Sequence, residues 1–293
     1  MHSFNYFETN KIVTMNENKF EITINAPAAK VWQTLWDDGS YMQWTSAFCN
    51  GSYAKSDWKL GSKIQFLSPG GGGMYSEIAE LEPNKKMVFK HIGEIKEYKE
   101  QPFEASDWSG ATESYTLTES NGQTHLVVTV DFTEEMASYF NDVFPKALAI
   151  LKELCEKNYI TVMTSVKADI DKVWEYWTDP KHIVQWNNAS DDWHTPKAVN
   201  HVKVGAHFNY TMAAKDGSMS FDFEGTYIDV KHHQKISYGI VGGRKVYILF
   251  APIDGEIRIV ETFEAENENS IEMQRGGWQN ILDNFKKHVE SDG

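Results

Sequence analysis

The chain has 293 residues, 42 of them Asp or Glu and 28 Lys or Arg, for a formal net charge of −14. That balance excludes a general binder of the nucleic-acid backbone, which needs a basic face, and a polybasic membrane-surface anchor. Sixteen Phe, thirteen Tyr and ten Trp exclude a disordered chain, and at roughly 150 residues per domain the length points to two domains.

Read in chain order, residues 1–18 are poorly patterned and are expected to form an N-terminal tail, with Met15 a candidate physiological start. A strand is predicted over Phe20–Ala26, then two short helices, the first with an apolar stripe at Val31, Trp32 and Leu35. Gly70–Gly73 precedes a strand pattern rather than a helix, so it reads as a hairpin loop and not as a phosphate cradle. Ile64 and Phe66, Tyr115 and Leu117, and Val128 and Val130 alternate as strands do, and Asn121-Gly122 marks a hairpin. Phe140, Phe144, Ala147, Leu148, Leu151 and Leu154 have helical spacing, with Pro145 either in the first turn or at a kink.

The same order then recurs. A strand is predicted over Tyr159–Val166, followed by a short helix with Val173, Trp174 and Trp177 and an N-cap at Asp169, and by a new helix at Asp179-Pro180. Phe208, Tyr210 and Met212 share one strand face. Met219, Phe221, Phe223, Gly225 and Tyr227 share another, and Ile257, Ile259 and Glu261 a third. Asp216-Gly217 and Asp254-Gly255 are hairpin signals. The last helix carries Trp278, Ile281, Leu282, Phe285 and Val289 on one stripe, with Asn269 and Glu272 as a capping box. Gly276-Gly277 leaves two readings: a helix that kinks or admits a ligand at its backbone, or one that begins regularly only at Trp278.

This recurrence is an internal repeat. Lys30-Val31-Trp32 matches Lys172-Val173-Trp174, Gln43-Trp44 matches Gln185-Trp186, and Leu60-Gly61 faces Val204-Gly205. The expected organisation is a tail over 1–18, one domain over 19–157 and a second over 158–293. The predicted class is α+β: in each copy six or seven antiparallel strands bury one face against the long C-terminal helix. A curved sheet gripping a single helix leaves a space between them, a natural small-molecule pocket. Duplication further suggests a monomer whose halves form an internal pseudo-dimer.

The stretches IVQWNNASDDWHT (Ile183–Thr195), DGSMSFDFEGTY (Asp216–Tyr227) and MQRGGWQNILDNFKKHV (Met273–Val289) resemble the SRPBCC or START-like superfamily. Within it they are similar to the group named for homology to the activator of the heat-shock-protein-90 ATPase. The second half matches along its length. The first half is looser, ending in FPKALAILKEL instead of the G-W-Q-x-I-L-x-x-F-K pattern. The resemblance implies tandem helix-grip domains, of the kind also found in the birch-pollen allergen, with a hydrophobic cavity between sheet and helix. It implies no shared catalytic motif, and the chaperone activity of the group's namesake is not carried over.

Candidate chemistry is sparse. Cys49 and Cys155 have no metal-ligand or redox spacing, which, with no membrane-length apolar run or secretory pattern, suggests the reducing cytosol. His201, His207 and the pair His232-His233 lack any metal motif, so no metal and no cofactor are expected. Asp191, Asp192, Trp193 and His194 read as a loop at a rim, and no G-x-S-x-G supports a hydrolase. The predicted ligand lining is Trp186, Trp193, Phe208, Tyr210, Phe221, Phe223, Tyr238, Tyr247, Gln274 and Trp278, with Trp36, Trp44, Phe66, Tyr75 and Tyr115 a weaker set in the first half. The expected function is binding of a hydrophobic small molecule without covalent chemistry. Its rivals are a cyclase or dehydratase using Glu261, and an interaction module that helps a chaperone through a protein partner; neither nucleic acid nor membrane is an expected partner.

Overall fold

A computed structural model describes residues 15–102 and 110–291. Of the expected tail, residues 1–14 lie outside the described residues. The first half runs β1 (Met15–Ile24), α1 (Ala28–Trp36), α2 (Asp38–Thr45), β2 (Tyr53–Lys55), β3 (Lys63–Leu67), β4 (Gly73–Glu82), β5 (Lys86–Lys96), β6 (Lys99–Pro102), β7 (Thr112–Ser120), β8 (Gln123–Thr133) and α3 (Glu134–Glu156). The second half runs β9 (Tyr159–Val166), α4 (Ile170–Thr178), α5 (Pro180–Trp186), β10 (Trp193–Val199), β11 (His207–Ala214), β12 (Ser220–Lys231), β13 (Lys235–Ile240), β14 (Lys245–Ile253), β15 (Glu256–Glu264) and α6 (Ile271–Ser291). Met15 through Asn18, read above as tail, pair with β8 from Thr133 to Val130 and so extend β1.

The fold is α+β, with one sheet in each half. One has the order β1-β8-β7-β5-β4-β3-β2, with β6 on β5; the other has the order β10-β11-β12-β13-β14-β15-β9. By its contacts the chain divides into two compact units. One comprises residues up to Trp32 with Ala54–Ala149, the other Gln33–Tyr53 with residues from Ile150 onward.

Local sequence explains the turns. Asn121 and Gly122 have φ of 53° and 74°, and Asp254 and Gly255 have 54° and 81°. Two left-handed residues in succession make the turn whose twist matches antiparallel strands. The repeat is equally visible in hydrogen bonds. Gly61 (φ 79°) donates its N–H to the Ile78 carbonyl and Gly205 (φ 81°) donates to that of Tyr227, each at 2.8 Å. In each repeat the second signature tryptophan ties the two short helices together: Trp44 Nε1 donates to Leu35 O and Trp186 Nε1 to Tyr176 O, at 3.1 and 3.0 Å.

Of the local expectations, the Asp169 N-cap holds in position and the cap of α6 changes. Pro145 lies inside α3, well beyond its first turn. Asp169 occupies the N-cap of α4 but makes no side-chain cap bond. The cap of α6 is Ser270, whose Oγ accepts from Met273 N at 3.1 Å, while Asn269 bonds to Glu266 instead. The α6 helix also runs unbroken through Gly276-Gly277, so its regular part does not wait for Trp278.

Candidate functional site

In the second unit, alternation along β11, β12 and β13 puts Phe208, Tyr227, Ile236, Tyr238 and Ile240 on the buried face, with Phe285, Leu282 and Val289 of α6 in the same core. That core is not filled throughout. A cavity of about 370 Å³ opens between sheet and helix, within the range of small-molecule sites. The sheet contributes Phe208, Tyr210, Met212, Phe221, Phe223, Tyr227, Ile236, Tyr238, Ile240 and Glu261. The helices contribute Trp177, Trp186, Gln274, Trp278 and Ile281, and Asn187, Arg244, Glu266 and Asn269 complete the lining.

The aromatic wall is mutually braced. The Phe208 ring lies 4.9 Å from that of Tyr238, 5.0 Å from Tyr210 and 5.4 Å from Tyr227. Trp278 stacks on Phe263 at 3.9 Å and so is fixed where it faces the cavity. Tyr227 donates to Asn200 Oδ1 at 2.6 Å. Burial pushes the Tyr210 and Tyr238 phenols well above their usual range, so both remain neutral donors.

One group stands out electrostatically. Glu261 is 5% exposed, and its strand neighbours are Ile248 and Val162. No hydrogen bond to its carboxyl is found among the described residues. Burial alone pushes it up to about 8, so at neutral pH it is mostly a protonated acid that can donate a hydrogen bond. Gln274, expected to orient a ligand, is already engaged: its Oε1 accepts from Glu266 N, and its Nε2 donates to the carbonyls of Glu266 and Asn269. It clamps the β15–α6 loop at the rim of the cavity.

The structure thus brings together Trp186, Phe208, Tyr210, Phe221, Phe223, Tyr238, Gln274, Trp278 and Glu261. Two expected members of the same half stand elsewhere. Trp193 is outside the lining, with its ring 5.8 Å from that of Phe221. Tyr247 is on the opposite face of β14, because Val246, Ile248 and Phe250 take the inward phase, and its hydroxyl donates to Glu153 at 3.4 Å.

The weaker set is scattered. Trp36 and Trp44 are buried in the short helices, which fall largely within the second unit. Phe66 packs edge-on to Phe89 at 5.1 Å, Tyr75 carries the Lys63 ammonium over its ring, and the Tyr115 hydroxyl donates to Glu113.

Sequence reasoning missed Trp177, Asn187, Met212, Tyr227, Ile236, Ile240, Arg244, Glu266, Asn269 and Ile281 as lining. Trp177, Met212, Tyr227 and Ile281 were visible on the predicted stripes and needed only to be carried to the site. Arg244, Glu266 and Asn269 lie between elements, where no periodicity points. Among the described residues no group of three or more His, Cys, Asp or Glu could hold a metal. His233 pairs instead with Asp171 at 3.2 Å, at a turn.

A family model described as Activator of Hsp90 ATPase homolog 1-like protein matches this chain twice, over residues 25–156 and 167–290. An AHSA1-like protein from Aeromonas hydrophila is 42% identical, over 46% of this chain and 94% of its own, with a TM-score of 0.45. A protein from Cytophaga hutchinsonii is 50% identical, over 45% and 92%, with a TM-score of 0.42. The di-domain ARO/CYC protein StfQ of the steffimycin biosynthetic pathway aligns over 94% of this chain and 99% of its own, at 11% identity and a TM-score of 0.37. No curated protein matches the chain.

Proposed function

The chain belongs to the family of Activator of Hsp90 ATPase homolog 1-like proteins, with two tandem copies of the domain, and from that premise we propose that its second unit binds a hydrophobic small molecule between sheet and C-terminal helix. The cavity of about 370 Å³ carries this reading, since protein interiors otherwise pack without such voids. Its lining is largely aromatic and aliphatic. Each Å² of apolar guest surface taken from water contributes about 25 cal/mol, so a flat polycyclic guest draws its affinity from burial. The buried acid and phenols then select guests with a polar group that meets them.

The test uses N-phenyl-1-naphthylamine, a neutral apolar dye. We expect one equivalent to bind the full chain with enhanced fluorescence, and binding to fall at least tenfold in Ile281→Trp, whose indole intrudes on the cavity. A folded chain, judged by circular dichroism, that leaves the dye dark overturns the reading. So does an Ile281→Trp protein that binds as well as the parent.

Glu261 favours a second reading, an acid–base enzyme of the cyclase or dehydratase kind. A buried carboxyl held near 8 is poised to give or take a proton at neutral pH. Under that reading Glu261→Gln binds the guest but no longer converts it; under the first, the extracted guest is chemically unchanged after incubation with either protein.

A further inference from the structure

The outer face of the second sheet carries a polar row. Asp229, Ser237, Tyr247, Thr262 and Thr161 are cross-strand partners in turn, from β12 through β13, β14 and β15 to β9. They alternate with Tyr238, Val246, Ile248 and Glu261, which face the core and the cavity described above. The row is covered from outside: Thr262 is fully buried and Ser237 is 7% exposed. The cover is α2 and the end of α3 from Ile150, which is why Gln33–Tyr53 groups with the second unit. Gly39 of α2 lies so close to β9 that a Cβ there would collide with the Thr161 methyl. Gln43 Nε2 donates to Thr262 Oγ1 at 3.3 Å, and from α3 Glu153 Oε1 accepts from the hydroxyls of Tyr159 and Tyr247.

This cover is incomplete. Between α2, the end of α3 and strands β13 and β14 lies a second cavity, of about 150 Å³, lined entirely by residues of the second unit. A volume of that order takes one six-membered ring. Ile150, Leu154 and the rings of Tyr159 and Tyr247, whose centroids are 6.0 Å apart, give it apolar walls. Burial pushes both phenols up, so they stay protonated and direct their protons at Glu153. The charges around the cavity cancel. Glu153 pairs with Lys245 at 3.1 Å and Asp229 with Lys235 at 2.5 Å, and Lys157 stands between Glu153 and Glu264 at 3.5 and 3.4 Å. An entering ion would meet as many like charges as opposite ones and lose its water, so the cavity suits an uncharged guest. One buried acceptor is left for that guest. Gln43 is 5% exposed and commits its amide nitrogen to Thr262, and no hydrogen bond to its Oε1 is found among the described residues. The same holds for the hydroxyl of Ser237, on the sheet side of the cavity.

We propose that this outer cavity is a second, separate ligand site that takes a single-ring phenol, whose hydroxyl donates to Gln43 Oε1 while its ring lies among the tyrosines and the aliphatic side chains of α3. A guest of the same size without a proton to donate leaves the buried amide oxygen unmet, and that difference sets the selectivity. Ser237 offers the sheet-side partner for a further polar substituent. The inner and outer cavities lie on opposite faces of one sheet, with Ile236 bordering both. Their chemistry differs: the inner one offers a buried acid to a large guest, the outer one a buried acceptor to a small one. The proposal does not rest on the inner cavity being filled.

The experiment titrates the full chain, with N-phenyl-1-naphthylamine present at saturation, and follows two probes by fluorine NMR: 4-fluorophenol, and 4-fluorotoluene, which is the same size and has no hydroxyl. One equivalent of 4-fluorophenol is expected to bind saturably and about tenfold more tightly than 4-fluorotoluene. Gln43→Leu is expected to abolish that preference. Ser237→Leu, which projects into the outer cavity from the sheet, is expected to abolish binding of both probes, and Ile281→Trp, on the inner face, to change neither. The proposal is overturned if neither probe binds, the cavity then holding water only, if both bind equally, or if the preference survives Gln43→Leu or is lost in Ile281→Trp. The comparison of the two probes on the parent chain is decisive by itself even where a variant fails to fold. A preference for the phenol that depends on Gln43, in a chain that leaves the dye dark, refutes only the proposed function above; a bright dye beside an unbound phenol refutes this site alone.

Discussion

Glu261 sits between Ile248 and Val162 with no compensating partner among the described residues, and its effect on stability has a definite sign. Its folded value of about 8 lies above the ordinary 4.5 of the unfolded chain. Between those values the native state holds a proton that the unfolded state has lost. Its contribution is therefore fully present below about 4.5, is lost as pH rises toward 8, and changes no further above that. Each unit of separation is worth about 1.4 kcal/mol. Glu261→Gln is isosteric and uncharged, so its stability relative to the parent should grow from pH 5 to pH 8, by on the order of 3 kcal/mol, and then level off. Denaturant titrations at several pH values check this, and a difference independent of pH would mean that the carboxyl is solvated. The alternation of Ile257, Ile259 and Glu261 made this residue legible in the sequence. The same alternation placed Tyr247 out of phase with Val246 and Ile248, a signal that was present and not used.

The helix α6 closes the cavity, and its first turns carry a serine cap and a pair of glycines. Ser270→Ala removes the bond to Met273 N and should cost about 1 kcal/mol, whereas Asn269→Ala disturbs only the loop bonds to Glu266. A Cβ added at Gly276 or Gly277 meets nothing within 4 Å. Alanine at either position should therefore stabilise the unfilled protein by about 0.5–1 kcal/mol. If the dye of the proposed function binds the alanine variants less tightly, the glycines serve the approach of a guest to the helix backbone; unchanged dye affinity limits them to helix propensity. The Gly61 and Gly205 turns behave oppositely. Their φ of 79° and 81° is left-handed, and alanine there should destabilise by about 1 kcal/mol in each copy.

At the scale of the whole molecule, an occupied cavity couples guest to fold. A guest at one hundred times its dissociation constant stabilises the unit that holds it by about 2.7 kcal/mol. Thermal melts followed by circular dichroism should therefore rise with N-phenyl-1-naphthylamine in the parent and not in Ile281→Trp. The hairpin turns and the strand and helix order were present in the amino-acid sequence because each rests on local spacing that a neighbour a few residues away can enforce, and the repeat and the family resemblance because those spacings and motifs recur in both halves. What only the tertiary structure decided is which polar groups meet across strands. Ser76, His91 and Glu113 come from three strands, their register set in part by irregularities in the β4–β5 pairing near Tyr75 and Ile78, and no spacing rule joins them. Whether sheet and helix close on each other or leave a hollow likewise depends on side-chain volumes summed from distant segments, a quantity that no short window of sequence contains.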